Sequence, residues 1–228
     1  KPPRLTLSRF AAGLLKADGR EHRGVYSAVL LVIATLAGGL LNYVMHFAVA
    51  RILGPGEYGV FTTLVRLSAI LAVPAIPLQR VASQYTSQAY AHDQLGGLGR
   101  WFRRACRPVS LLALGIGIGL AVSSPRLASL FGLPSPSGML ALAGVTCVTL
   151  LLPLPAGLLQ GLQRFKALAA NTVLEPAIRL AAAIAFALIG WGAAGAMAAT
   201  ILSGIGILAF SLMMLRDVWS RSGPAAGP

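Results

Sequence analysis

The sequence predicts an all-α fold, a polytopic membrane helix bundle with six transmembrane helices. Three observations carry that prediction. Of 228 residues, 56% are hydrophobic and only 11% charged, whereas a soluble domain carries about 25% charged residues. Six apolar stretches approach or exceed the roughly 20 residues that cross a bilayer as a helix. The basic residues fall in alternate loops between those stretches. With a mean hydropathy of +0.75, a soluble core could not hide the apolar surface, because a folded domain must still cover itself with polar groups. Two cysteines in the whole chain exclude a disulfide scaffold, and the apolar content excludes disorder.

The first 24 residues hold Leu7, Phe10, Leu14 and Leu15 at helical spacing among Arg9, Lys16 and Arg20. That pattern fits either a short interfacial helix or a frayed basic tail, and it lacks the continuous apolar run of a signal peptide. The spans follow at 25–50, 58–79, 105–123, 138–159, 167–189 and 193–215. The third is the shortest and reaches spanning length only by extending back from Pro108 through Cys106 and Ala105. Barrel strands are about 10 residues long with alternating polarity, so stretches this long and this uniformly apolar are helices. Residues 216–228 end in Ser222-Gly-Pro-Ala-Ala-Gly-Pro228 and read as a tail or linker. The chain opens on Lys1 rather than Met, so a piece of a longer protein is expected.

The net charge of +13 invites a nucleic-acid reading, but its distribution gives another cause. Lys1, Arg4, Arg9, Lys16, Arg20, Arg23, Arg80, Arg100, Arg103, Arg104, Arg107, Arg164, Lys166, Arg216 and Arg221 lie on one set of loops; the other set holds only Arg51 and Arg126. The positive-inside rule accounts for this bias and sets both termini in the cytoplasm, without a nucleic-acid partner. Arg100-Trp-Phe-Arg-Arg104 is read as an anchor at the cytoplasmic interface.

Charges inside the spans are the candidate functional residues, since an ionised side chain at the bilayer centre costs about 3 kcal/mol on insertion scales. Arg66 lies in the second span; Glu175 and Arg179 lie in the fifth, spaced i, i+4 in the order that favours an intrahelical ion pair. Simple mutual neutralisation is as good a reading of that pair as a binding site. Two arginines against one glutamate leave a positive interior, which suits an anionic group such as a phosphate or pyrophosphate. Asn42 and His46 share a face of the first span with Gly38. They either line the same cavity or, for Asn42, glue helices together and, for His46 near the outer end, meet headgroups or water.

Gly115, Gly117 and Gly119 in the third span, and Gly157 with Gly161 in the fourth, are candidate close-packing positions. Pro74, Pro77, Pro153, Pro155 and Pro176 predict kinks in spans two, four and five, a habit of helices that line a transport cavity. His22, His46 and His92 lie far apart, so no metal cluster is expected, and no P-loop pattern is present. No cofactor and no catalytic residue is expected.

The loop Ala50-Arg51-Ile-Leu-Gly54-Pro55-Gly56-Glu57-Tyr58-Gly59-Val-Phe61 resembles that of the polysaccharide and oligosaccharide-lipid flippases. These belong to the multidrug/oligosaccharidyl-lipid/polysaccharide exporter superfamily. Pro77-Leu78-Gln79, Leu159-Gln-Gly-Leu-Gln-Arg-Phe165 and Gly190-Trp-Gly-Ala-Ala-Gly-Ala196 add to the resemblance, which covers roughly residues 23–219. Family members carry 12 to 14 helices, so the resemblance implies the N-terminal lobe of a two-lobed exporter. It further implies alternating access, an undecaprenyl-pyrophosphate-linked glycan as substrate, and the bacterial inner membrane as location. Carried over by position, Arg51, through its motif, and Arg66 and Arg179, through their depth, are the candidate cavity arginines that the resemblance implies. The expected partners are that lipid-linked glycan, membrane lipids and a second lobe in the same or a partner chain.

Two other functions fit the same residues: an H⁺- or Na⁺-coupled exporter of small molecules with Glu175 as its titrating group, and a non-transporting scaffold of a glycan-assembly complex.

Overall fold

The computed structural model describes residues 7–92, 95–133 and 135–217, with side chains described for 26–92, 96–133 and 135–217. The side chains of the basic N-terminal segment and the tail beyond residue 217 lie outside these. The chain is all α: α1 (Leu7–Leu71), α2 (Ala75–Ala91), α3 (Leu98–Val122), α4 (Ser124–Leu130), α5 (Ser137–Leu151), α6 (Pro153–Gly161), α7 (Phe165–Leu188) and α8 (Gly192–Met214). A single 3-10 turn, Leu95–Gly97, precedes α3.

Five helical stretches among the described residues are long and apolar enough to cross a membrane, where the sequence predicts six. The difference lies at Gly54. The first stretch, Tyr26–Leu71, is 46 residues long, and Gly54 breaks it at φ 75°, ψ 175°, a conformation reserved for glycine. The chain folds back there. The Tyr58 hydroxyl lies 3.4 Å from His46 Nδ1, 12 residues earlier, and the His46 and Phe61 rings sit 5.6 Å apart. A straight helix would separate positions 46 and 58 by about 18 Å. The helix α1 is therefore a hairpin of two arms, and its second arm begins the second predicted span.

That second span does not end at Gln79. It breaks at Ala72–Pro74, where the turn ahead of α2 carries no helix, and continues as α2 to Ala91. The fourth span is interrupted more gently: a single residue, Leu152, itself at helical φ/ψ, separates α5 from Pro153 at the first turn of α6. Proline lacks the N–H and crowds the preceding turn, so both breaks match the expected kinks. At Pro176 there is no such interruption: α7 is one helix from Phe165 to Leu188.

Close packing singles out particular glycines. A Cβ on Gly157 would lie 2.6 Å from the Gln79 carbonyl oxygen and 2.7 Å from Ala82 Cβ; one on Gly161 would lie 2.6 Å from the Ser83 oxygen. These two glycines let α6 lie directly on α2, running parallel to it. Gly38 similarly brings the first arm of α1 against the Thr172 carbonyl of α7. In the Gly115/Gly117/Gly119 run, only Gly117 meets a neighbour, the Cys147 thiol; the other two face open space.

The core forms two clusters. Met45, Val49, Phe61, Leu64, Met139, Leu142 and Met197 fill the end near the hairpin. Ala82, Leu98, Phe102, Leu154, Leu158, Leu159 and Leu215 fill the other. The outer surface is apolar, with Val32, Ile33, Leu36, Leu40, Leu111, Val122 and Leu188 all exposed. A water-soluble protein does not present such a band; a multi-pass membrane protein does.

Candidate functional site

Six helices, α1, α2, α5, α6, α7 and α8, converge on a polar hollow in the bundle. Its two adjoining compartments measure about 320 and 510 Å³ and share Gln79, Leu152, Ala156, Glu175 and Arg179. Each polar side chain arrives there for a local reason. Gln79 follows the Ala72–Pro74 break, one turn into α2, and donates from Nε2 to Gln160 Oε1 at 3.3 Å. Glu175 and Arg179 occupy successive turns of α7, and the guanidinium meets the carboxylate at 3.0 Å. The pair is only partly covered, with side-chain exposures of 22% for Arg179 and 36% for Glu175. Arg179 Nε is buried without a hydrogen-bond partner.

The second compartment adds Asn42 from α1 and Asn171, Thr172 and Ser211 from α7 and α8. Buried Asn171 donates to Ser211 Oγ at 2.8 Å, while its Oδ1 finds no partner. The first adds Ser68 from the second arm of α1 and Thr200 from α8. The hollow thus offers a carboxylate, a guanidinium, amides and hydroxyls. It can bind a polar or charged group through several hydrogen bonds, in surroundings where an unpaired polar atom costs about 1–3 kcal/mol.

Of the residues singled out from sequence, Asn42, Glu175 and Arg179 line this hollow. His46 does not; it packs against Tyr58 and Phe61 beside the hairpin. Arg51 is exposed at the hairpin with its guanidinium over the Phe47 ring, 5.7 Å from the centroid. Arg66 is exposed on the second arm of α1. It has no ion pair or hydrogen bond among the described residues and lies one turn from Ala69, which lines the first compartment. Since Glu175 and Arg179 neutralise each other, the hollow is electrically balanced, not positive as the count of span charges implied. Three or more clustered metal-ligating side chains do not occur among the described residues.

Sequence reasoning missed Asn171 and Ser211 as cavity residues. Both sit on apolar helices, and only a helical-wheel alignment of α7 with α8 could have paired them. It also missed Glu57, which reaches the N-terminus of α8 and accepts from the Ala193 N–H at 2.8 Å. That contact joins the Gly54 hairpin to the Gly190–Gly192 turn. Arg164 donates to the Met214 carbonyl at the C-terminus of α8 and pairs with Asp217 at 3.6 Å.

No family model matches the chain, and no curated protein matches it. Among solved structures it is similar to the outward-facing conformation of a multidrug resistance MATE family transporter of the MOP superfamily. The TM-score is 0.71 at 16% identity, over 89% of this chain and 48% of that one. The chain thus spans about half the length of that transporter. At this identity the likeness is one of fold: the protein is an all-α membrane helix bundle built like one half of a MOP-superfamily transporter.

Proposed function

We propose that this chain is one lobe of an alternating-access membrane transporter, with the Gln79–Glu175–Arg179 hollow as its share of the substrate path. The observation that carries this reading is the hollow itself: a charged pair and several amides gathered at mid-span, between broken helices, in half of a two-lobed architecture. Charged side chains at that depth are functional by default, and a second lobe would close the open side.

Within that class, the reading we favour is a flippase for a lipid-linked glycan with a pyrophosphate headgroup, acting in the bacterial cytoplasmic membrane with both termini inside. The resemblance of the Arg51–Phe61 loop supports it, and so does Arg66, a guanidinium with no ion pair or hydrogen bond among the described residues, one turn from Ala69 of the hollow and suited to a phosphate. A second reading, a coupled exporter of small molecules, draws on the balanced charge of the hollow and on the multidrug transporter of similar fold. Glu175 would then be the group that exchanges H⁺ or Na⁺.

One experiment separates them. Glycan export and dye efflux are measured in cells whose protein carries Arg66→Ala or Glu175→Gln. Lost glycan export in Arg66→Ala with normal membrane insertion supports the flippase. Lost efflux in Glu175→Gln supports the exporter. Normal transport of both kinds in both variants would remove the hollow from the substrate path.

A further inference from the structure

Away from the hollow, at the end of the bundle that holds the 162–164 turn, lies a larger cleft of about 1260 Å³. Tyr26, Tyr90, Arg164 and Lys166 stand around its mouth and Ala170 at its inner wall. A second cavity of about 490 Å³ shares Tyr26, Lys166 and Ala170 with it. That cavity is a groove between the first arm of α1 and the parallel helix α7, walled by apolar residues from Tyr26 to Ala37 on one side and up to Val173 on the other. Its inner end is closed one residue later, where Gly38 meets the Thr172 carbonyl backbone to backbone.

The two cavities adjoin through Tyr26, Lys166 and Ala170, and together they outline an amphipathic slot. Its open end is basic. Lys166 is exposed and has no ion pair or hydrogen bond among the described residues, whereas Arg164 is already engaged by Met214 and Asp217. The tyrosines at this level have the ring chemistry that prefers the membrane–water interface. Its closed end is walled by apolar side chains. From Tyr26 to Ala37 the groove runs about 16 Å along the helix, close to half of a hydrocarbon core about 30 Å thick. That is the depth of one leaflet.

We infer that this slot is a binding site for an anionic phospholipid of the leaflet at the basic end, its headgroup phosphate on Lys166 and one acyl chain laid between α1 and α7. Charge complementarity selects the headgroup, and the leaflet-deep, backbone-closed groove selects a chain over a soluble anion. The site is separate from the hollow, so it stands whether or not the lobe transports. A lipid held there would fill the space that otherwise separates the outer part of α1 from α7, and so brace the hairpin arm that carries Asn42.

The test is native mass spectrometry of the full chain released from detergent, titrated with phosphatidylglycerol or with phosphatidylcholine. Phosphatidylglycerol is expected to bind at least tenfold more tightly. Lys166→Glu should weaken it about tenfold, and Ala170→Phe, which narrows the groove, should do the same without touching the charge. Arg126→Glu, an exposed site on α4 well away in sequence, should bind like the wild type. Lys166→Gln serves if the glutamate variant elutes as an aggregate. Equal binding of both lipids, or unchanged binding in the Lys166 variant, would overturn the site. Displacement of bound lipid by millimolar inorganic phosphate alone would overturn the lipid assignment.

Discussion

The Glu57 carboxylate accepts a hydrogen bond from the Ala193 backbone N–H at 2.8 Å, across 136 residues of chain. The acceptor lies in the α1 hairpin and the donor in the first turn of α8, where backbone N–H groups have no helical partner. A negative charge there also opposes the positive end of the helix dipole. The fit is tight: a Cβ on Gly192, itself at φ +58°, would lie 2.7 Å from the same carboxylate oxygen.

Glu57→Ala is therefore expected to lower stability by about 1 kcal/mol, the usual value of a lost N-terminal cap. Glu57→Gln keeps an acceptor and loses only the charge, worth about 0.3–1 kcal/mol, so it should fall between. Thermal unfolding in detergent compares the three. Equal midpoints would mean that the contact between hairpin and α8 contributes nothing.

The glycines should divide by position. Gly157→Ala drives a methyl into the Gln79 carbonyl and Ala82, both on a helix that cannot yield locally, and should cost about 1–3 kcal/mol, as overpacking does. Gly115→Ala and Gly119→Ala meet nothing within 4 Å and should be neutral or stabilising by up to about 1 kcal/mol, since alanine favours the helix. Unfolding midpoints of the three variants give the answer; a harmless Gly157→Ala would contradict the α2–α6 contact.

The ion pair of α7 predicts a rescue. Breaking a buried pair from one side costs about 3–5 kcal/mol, and a partly open pair such as this one, with Glu175 36% exposed, should cost less, about 1–3 kcal/mol. Glu175→Gln and Arg179→Gln should each destabilise the chain, and the double variant should recover most of the loss. Additive losses in the double variant would show that the two side chains act independently.

Arg66 predicts the opposite pattern. With no partner among the described residues and an exposed position, Arg66→Ala should change the stability of this chain by no more than about 0.5 kcal/mol. On the function proposed above, any effect should surface in transport assays and not in stability. A large drop in the unfolding midpoint would mean that the guanidinium has a structural partner.

Much of the architecture was legible because lipid imposes it. Long apolar runs must be helices, and the runs beginning at 138, 167 and 193 lie within or nearly within the helices observed. The Glu175–Arg179 pair and the shared face of Gly157 and Gly161 were legible because helical spacing alone puts those residues together, whereas the partner of the glycine face, α2, was not. What was missed depends on neighbours distant in sequence. Nothing near Asn171 points to Ser211, and nothing near Glu57 points to Ala193. The arginine-rich stretch before the third span read as loop because charge argues against membrane, yet α3 already runs through Arg100 to Arg107. The balance of charge in the hollow was misread because depth along a helix does not say which way a side chain faces: Arg66 is deep in sequence but outside the hollow.

The proline breaks before α2 and before α6 have a mechanical consequence. Ala75 and Pro153 each stand four residues ahead of the positions, Gln79 and Gly157, where the two helices touch. The breaks therefore sit at one height, and the helices beyond them are seated backbone on backbone. A lone break lets one helix bend by itself. Two at the same level, beneath a pair of helices locked together, define a single axis, and neither α2 nor α6 can tilt without carrying the other. Gln79 and Ala156 form part of the wall of the hollow on that pair, so its width on this side is set by one rotation, not two.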